Sequence, residues 1–473
     1  MGSKKIKTKI VCTIGPATSS RRMLWRLAKA GMNVARLNLS HDTTKDHVAN
    51  VRRIRQVARE RRAPIGILFD LPGPKIRIGK LSPEPITLKE GRLVTLTGQR
   101  TAGNQRIIPI SHPKVLRDLD KGDAIFFADG TIRLVVTEVK TNGVLCRVIR
   151  GGVLFSGKGV NIPGKKIGLR ALTPKDISLL RFALRQGADF LGLSFTSTSE
   201  DIVRTKRIVL QAESHAWVIA KIETRQAVEN FDEIVQKADG IMVARGDLGV
   251  EMEIEDVPIL QKEIISKANA AGKPVITATQ MLESMVTNPT PTRAEVTDIA
   301  NAIIDGTDAI MLSEETAVGK YPVEAVEVMK KVALATEATL PYREFLEARR
   351  SLMKKTQDAI CFSACQVAFE LDASCVVANT RTGITAQRVS KFRSSVPIIA
   401  LTYSDAVMNQ LSLLWGLYPH KVKKLSTTAE IFRAARNEAL ASGTARPGER
   451  IIVVCGDPST PSGETDLLRI QLV

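Results

Sequence analysis

The stretch Trp217-Val-Ile-Ala-Lys-Ile-Glu223 decides the fold. It is an apolar, β-branched run that ends in two charges, and a helical pattern follows it. Seven other runs share this form, at residues 8–13, 33–37, 64–69, 189–194, 240–244, 274–278 and 308–312. With 217–221 included, successive starts lie 25, 31, 125, 28, 23, 34 and 34 residues apart. A strand–loop–helix–loop unit takes about 30 residues. Units of that size, with one interval too long by roughly 95 residues, make a (β/α)8 TIM barrel carrying an insertion.

The insertion changes character. Apolar and polar residues alternate at Ile86 and Leu88, at Leu93, Thr95 and Leu96, and at Ile132, Leu134 and Val136. Asp129-Gly130 and Asn142-Gly143 read as hairpin turns. This is an all-β domain set into an α/β one. After about residue 340 the barrel rhythm stops. Residues 356–369 read as a helix, and 374–379, 397–401 and 450–454 read as strands of a C-terminal α/β domain. The expected division is barrel at 1–74 and 171–340, inserted β lid at 75–170, and C-terminal domain at 341–473.

Composition narrows the function. The 473 residues are 44% hydrophobic and 25% charged, an ordinary soluble balance. No apolar run is long enough for a membrane helix, and the charged start Met1-Gly2-Ser3-Lys4-Lys5 is not read as a signal peptide. The net charge of +19 fits nucleic acid, an anionic surface or anionic substrates. With only 4% aromatics there are few stacking platforms, which argues against nucleic acid. The basic run 52–62 carries Val51, Ile54, Val57 and Ala58 at helical spacing, the pattern of a solvated helix face. Six cysteines form no CxxC pair and read as reduced thiols of a cytoplasmic protein.

Barrel enzymes place their chemistry at the C-terminal ends of the strands. Polar residues stand there in nearly every unit: Arg36, Asn38, Ser40 and His41; Asp70; Ser194; Lys221 and Glu223; Arg245, Gly246 and Asp247; Thr277 and Thr279; Ser313, Glu314 and Glu315. Glu223 and Asp247 are carboxylates on adjacent strands, and two such oxygens completed by substrate and water suit Mg²⁺. Lys221, with Arg36 and Arg77, adds the positive charge that a transferring phosphoryl group requires. Taken singly, each residue reads equally as a rim salt bridge. Gly152-Val-Leu-Phe-Ser-Gly-Lys158 imitates a phosphate loop, but Gly159 stands where Ser or Thr should hold a metal, and no helix can start there.

The chain resembles the pyruvate kinase family. The matching motifs are Lys9-Ile-Val-Cys-Thr-Ile-Gly-Pro16, Gly31-Met-Asn-Val-Ala-Arg-Leu-Asn-Leu-Ser-His41, Asp70-Leu-Pro-Gly-Pro-Lys-Ile-Arg77, Lys158-Gly-Val-Asn-Ile-Pro-Gly164, Lys221-Ile-Glu-Thr224, Ala244-Arg-Gly-Asp-Leu-Gly-Val-Glu251, Ala278-Thr-Gln-Met-Leu-Glu-Ser-Met285, Pro291-Thr-Arg-Ala-Glu295 and Ile310-Met-Leu-Ser-Glu-Glu-Thr316. The resemblance implies phosphoryl transfer from phosphoenolpyruvate to ADP in glycolysis. It implies Mg²⁺ on Glu223 and Asp247, with Lys221 and Arg36 on the phosphoryl group. The amides of Arg245, Gly246 and Asp247, with Thr279, would hold the substrate carboxylate. Thr279 and Ser313 would be candidates for delivering the enolate's proton. Arg77, His41, Lys158 and Asn38 would meet the nucleotide, and Asp129 would help the lid close. Asn38, Ser40, Asp70 and the Leu71 carbonyl would be K⁺ ligands.

Two further features bear on regulation. Lys75 stands where K⁺-requiring members usually carry Glu, so the expectation is that its ammonium replaces K⁺. The segment Asn379-Thr-Arg-Thr-Gly-Ile-Thr385 combines hydroxyls, a glycine and a helix start. It reads as a phosphate loop or as a plain helix cap on Thr382 and Gly383. By resemblance, Thr380, Arg381, Thr382, Gly383 and Thr385 would bind a phosphorylated effector, and the assembly would be a homotetramer. On the residues alone two other readings stay open: a different Mg²⁺ barrel acting on phosphoenolpyruvate or a 2-oxo acid, and a basic binding protein.

Overall fold

A computed structural model describes residues 5–128, 130–165, 171–458 and 464–473. Eight parallel strands close a barrel: Lys9–Thr13, Val34–Asn38, Gly66–Asp70, Phe190–Leu193, Trp217–Ile222, Gly240–Ala244, Val275–Ala278 and Ala309–Leu312. They fall on the eight runs read from the sequence. The seam joins first to last strand, with Lys9 opposite Ala309 and Cys12 opposite Leu312. Most strands are buried throughout, as expected when helices cover the outside and side chains fill the inside. The basic run is the end of helix Thr44–Arg61, which a Thr43–Asp46 capping box starts and which buries Val51, Ile54 and Val57.

Between the third and fourth barrel strands the chain builds a second body with its own core, including Ile78, Val94, Ile125, Phe127, Leu134 and Cys146. Its main sheet runs in the order Val160–Asn161, Ala124–Phe127, Ile132–Lys140, Gly143–Arg150, Leu93–Thr97, Ile107–Pro109. The Asn142-Gly143 turn joins two antiparallel strands, with Lys140 opposite Gly143. Asp129, of the other expected turn, lies outside the described residues.

The C-terminal part is a five-stranded sheet in the order Leu417–Lys421, Ile398–Thr402, Cys375–Asn379, Arg450–Cys455, Leu467–Leu472, with helices on both faces. The sequence reading named the three central strands only. The two missed strands are the edges, one interrupted by Pro419, the other half exposed and mixed in polarity. This part is bolted to the base of the barrel. Arg393 donates to both oxygens of Asp308 at 2.8 and 2.9 Å, and Lys9 Nζ donates to the Leu417 carbonyl at 2.6 Å. All six cysteines are buried and free.

Candidate active site

Every strand sends at least one residue into the middle of the barrel, among them Val11, Val34, Leu68, Phe190, Ile219, Met242, Ile276 and Ala309. Along a strand, side chains two apart share a face. Two positions on from Val11, Val34, Leu68 and Ile219 stand Thr13, Arg36, Asp70 and Lys221. Four on from Phe190, Ile219 and Ala309 stand Ser194, Glu223 and Ser313. The pleat therefore roofs an apolar plug with polar and charged groups at the mouth.

Asp70 is their hub. Arg36 donates to its Oδ2 from Nε at 2.8 Å and from Nη2 at 2.6 Å, and from Nη1 to Thr13 Oγ1 at 2.9 Å. Lys221 Nζ lies 3.3 Å from Asp70 Oδ1 and 2.8 Å from Glu223 Oε1, and it donates to Ser194 Oγ at 2.6 Å. All three ammonium donors are thereby engaged. The second Glu223 oxygen accepts the Phe195 N–H at 2.8 Å. Gly192 makes room for the hub, because a Cβ there would stand 2.9 Å from Asp70 Oδ1.

Burial works against the charge on Lys221, but Asp70 and Glu223 outweigh it and hold the ammonium above the usual lysine range. Burial also opposes ionisation of Asp70, and Lys221 with Arg36 overcomes it, leaving this carboxyl below its ordinary value. Glu223 is pushed upward, by burial first and then by Asp247, against the pull of Lys221. The shifts on Glu223 and Lys221 would put the proton on opposite partners. At 2.8 Å, with Asp70 on the same ammonium, the charged pair is the state consistent with the geometry.

Asp247 sits in the short helix Arg245–Glu251, with Lys75 Nζ 3.5 Å from its Oδ1. The Arg245 guanidinium turns away, to Asp298 Oδ1 at 2.6 Å and the Thr279 carbonyl at 2.7 Å. The Gly246 amide donates to Thr279 Oγ1 at 2.8 Å. Thr279 has φ +70°, a strained setting for a β-branched residue, and functional sites are where such strain collects. The Ser313 hydroxyl oxygen is buried without a hydrogen-bond partner among the described residues. Its amide donates to Glu315 Oε2 at 2.6 Å.

The other expected residues lie around this ring. Asn38 Oδ1 accepts the Ser40 amide at 3.1 Å, and the Leu71 amide donates to the Gly192 carbonyl at 3.0 Å. His41 and Lys158 are exposed, and Arg77 Nη1 donates to the Gly157 carbonyl at 2.9 Å, beside Lys158. The ion-pair partner of Lys75 is Asp247, on the far side of the ring from Asn38 and Ser40 in chain order. Among the described residues no group of three or more His, Cys, Asp or Glu forms a metal cluster.

In the C-terminal part, Thr380, Arg381, Thr382 and Thr385 line one cleft with Lys423 and Lys424. Gly383, at φ +92°, opens helix Ile384–Lys391 without a side-chain cap, and its amide donates to Thr380 Oγ1 at 2.9 Å. Of the plain-cap alternative, Gly383 is found at the cap position, while Thr382 supplies no side-chain cap. Lys423 and Lys424 went unread in the sequence because they lie beyond an unrecognised edge strand. Thr13 and Ser194 were also missed as partners of Arg36 and Lys221. The signal was their own position at strand ends.

A barrel with a buried ring of opposed charges at its strand ends suits phosphoryl transfer. A family profile described as pyruvate kinase, barrel domain, matches residues 5–326, and one described as pyruvate kinase, alpha/beta domain, matches 358–471. The chain is 43% identical over 473 residues to a pyruvate kinase of Geobacillus stearothermophilus, covering 99% of this chain and 81% of that one. It is 43% identical over 472 residues to a pyruvate kinase of Thermococcus litoralis, covering 98% of each. A solved pyruvate kinase structure from Cryptosporidium parvum superposes with TM-score 0.94 at 36% identity, over 99% of this chain and 96% of that one. The chain belongs to the pyruvate kinase family.

Proposed function

We propose that the chain transfers the phosphoryl group of phosphoenolpyruvate to ADP, giving ATP and pyruvate, and that the ring around Asp70 is where it does so. The observation that carries this reading is the Lys221 ammonium held between Asp70 and Glu223 beside the Arg36 guanidinium. A phosphoryl group in flight spreads charge over its oxygens and needs fixed positive groups already in place. Arg36 is fixed by Asp70 and Thr13 and retains free N–H donors. In the transfer, the bond from phosphorus to the enol oxygen breaks and one to the terminal ADP oxygen forms. The enolate then takes a proton at carbon. Ser313, whose hydroxyl oxygen has no partner among the described residues, and Thr279 are the candidates for that delivery.

Glu223 and Asp247 are hard oxygen donors near enough that Asp247 raises the proton affinity of Glu223, which fits a shared divalent cation. Glu223 and Asp247 would hold Mg²⁺, which would supply charge neutralisation for the transfer. The amides of Arg245, Gly246 and Asp247, with Thr279, would receive the substrate carboxylate. Arg77, His41, Lys158 and Asn38 would meet ADP under the lid at 75–170. Asn38, Ser40, Asp70 and Leu71 would form the K⁺ site, and Lys75, held at Asp247 across the ring, would replace that ion's charge by adding a fixed cation to the same mouth. The loop Thr380, Arg381, Thr382, Gly383 and Thr385 would bind a phosphorylated effector.

A cytoplasmic homotetramer completes the proposal. Ile254 and Ile259 are 78% and 66% exposed, and edge strand Leu467–Leu472 presents Ile470 and Leu472 to solvent. No helix among the described residues is long and apolar enough to cross a membrane. The test is pyruvate formation from phosphoenolpyruvate, ADP and Mg²⁺. Pyruvate release that needs ADP supports the reading. Release without ADP, with the phosphoryl group passing to water, favours a different Mg²⁺ barrel acting on phosphoenolpyruvate, and no release at all overturns it.

A further inference from the structure

Helix Arg245–Glu251 begins at the substrate side of the ring and ends on a carboxyl with no part in the chemistry above. Glu251 lies one turn beyond Asp247, on the same helix face. It stands in a cleft walled by Val160, Asn161 and Ile162 of the inserted body and by Thr224 and Arg225 of the barrel. Its carboxyl is largely buried, and burial pushes its pKa up to about 7; the nearby Asn161 side chain and Arg225 oppose the rise and Asp247 adds to it. Asn161 belongs to strand Val160–Asn161, which pairs with Ala124–Phe127, opposite Phe126. Three residues earlier is Lys158, whose carbonyl accepts the Ile78 amide at 2.8 Å.

One short helix thus holds both a candidate metal ligand and the carboxyl that meets the lid. We infer that Glu251 is a positioning residue whose pairing with Asn161 across that cleft fixes how the lid sits on the barrel, and with it the place of Lys158 over the nucleotide. The contact spans two bodies that each have their own core, so it carries relative position rather than the stability of either. It favours a lid already near its working angle before ADP arrives, which lowers the ordering cost of binding. The inference rests on the nucleotide role proposed for Lys158.

The experiment is a double-mutant cycle on ADP affinity, measured by calorimetry with ADP and Mg²⁺, using Glu251→Ala, Asn161→Ala and the double variant. Each single change is expected to weaken ADP about fivefold, and the double no more than the worse single. KM for ADP should rise by the same factor, with kcat and KM for phosphoenolpyruvate within about twofold of the parent. Glu251→Gln, which keeps an acceptor, should restore ADP affinity. Additive losses, equal weakening of both substrates, or no change in any variant would overturn the inference. Parent enzyme that binds ADP but forms no pyruvate would sink the reaction and leave the cycle to decide the contact. Parent enzyme that does not bind ADP would overturn both.

Discussion

Lys75 Nζ lies 3.5 Å from Asp247 Oδ1, so a cation built into the chain stands against one of the two proposed Mg²⁺ ligands. The pair is about a third exposed, and its own contribution to stability is small. Its weight lies in the net charge of the mouth. Parent enzyme is expected to turn over equally with K⁺ and with a bulky organic cation. Lys75→Glu should then make activity K⁺-dependent by about tenfold or more. The check is kcat in paired buffers, and parent activity seen only with K⁺ would refute the built-in cation.

Lys221→Met should lower kcat by about 10²–10³-fold, the scale of losing one preorganised charge-stabilising donor. It also leaves Asp70 and Glu223 buried with less compensation, so a loss of about 3–5 kcal/mol in unfolding free energy should accompany it. Steady-state kinetics beside denaturant unfolding separates the two. A variant that melts early but turns over normally would remove Lys221 from the chemistry.

Arg381→Ala with Thr382→Val tests the C-terminal cleft, where Lys423 and Lys424 add positive charge. A hexose bisphosphate, a pentose phosphate and a nucleoside monophosphate should be screened for raising the melting temperature. A ligand at 100 times its Kd contributes about 2.7 kcal/mol. Any stabilisation seen with the parent should vanish in the variant, while basal activity stays unchanged. Stabilisation that survives both substitutions would place the ligand elsewhere.

Stability should rise with pH above neutrality because of the barrel base. Burial lowers Lys9 to about 7 and Lys7 to about 8, against the pull of Glu337, from 10.5. In the unfolded chain both stay protonated to about 10.4. Between roughly 7 and 10 the unfolded state therefore binds more protons, and unfolding free energy increases with pH. Lys9→Met should flatten that slope by an amount of order 3 kcal/mol across the window. Unfolding midpoints at pH 6.5, 8 and 9.5 check it, and parallel curves for parent and variant would contradict it.

The barrel was legible because both faces of its strands are buried, so each strand is a continuous apolar run that stops at a polar mouth. The mouth residues were legible for the same reason: the pleat that hides Ile219 shows Lys221 two places on. What pairs with what was not legible. The Thr13 hydroxyl reaching Arg36, and Ser194 reaching Lys221, depend on barrel closure, which has no local trace. Strand Leu417–Lys421 was missed because an edge needs only one bonded side and tolerates Pro419. The partner of Lys75 was missed because the chain says where its backbone leaves the rim, not which carboxylate its long stem finds.

The seam between Lys9–Thr13 and Ala309–Leu312 sets a timetable for synthesis. The first strand emerges early and then waits for a partner made last among the eight. Until then the growing sheet presents open edges, the surfaces most prone to pairing with another chain. The inserted body has its own core and few debts to the seam, so it can mature while the barrel is still a half-cylinder. A ribosome stalled after the inserted body but before the last barrel strand would leave a finished inserted body on an unfinished barrel.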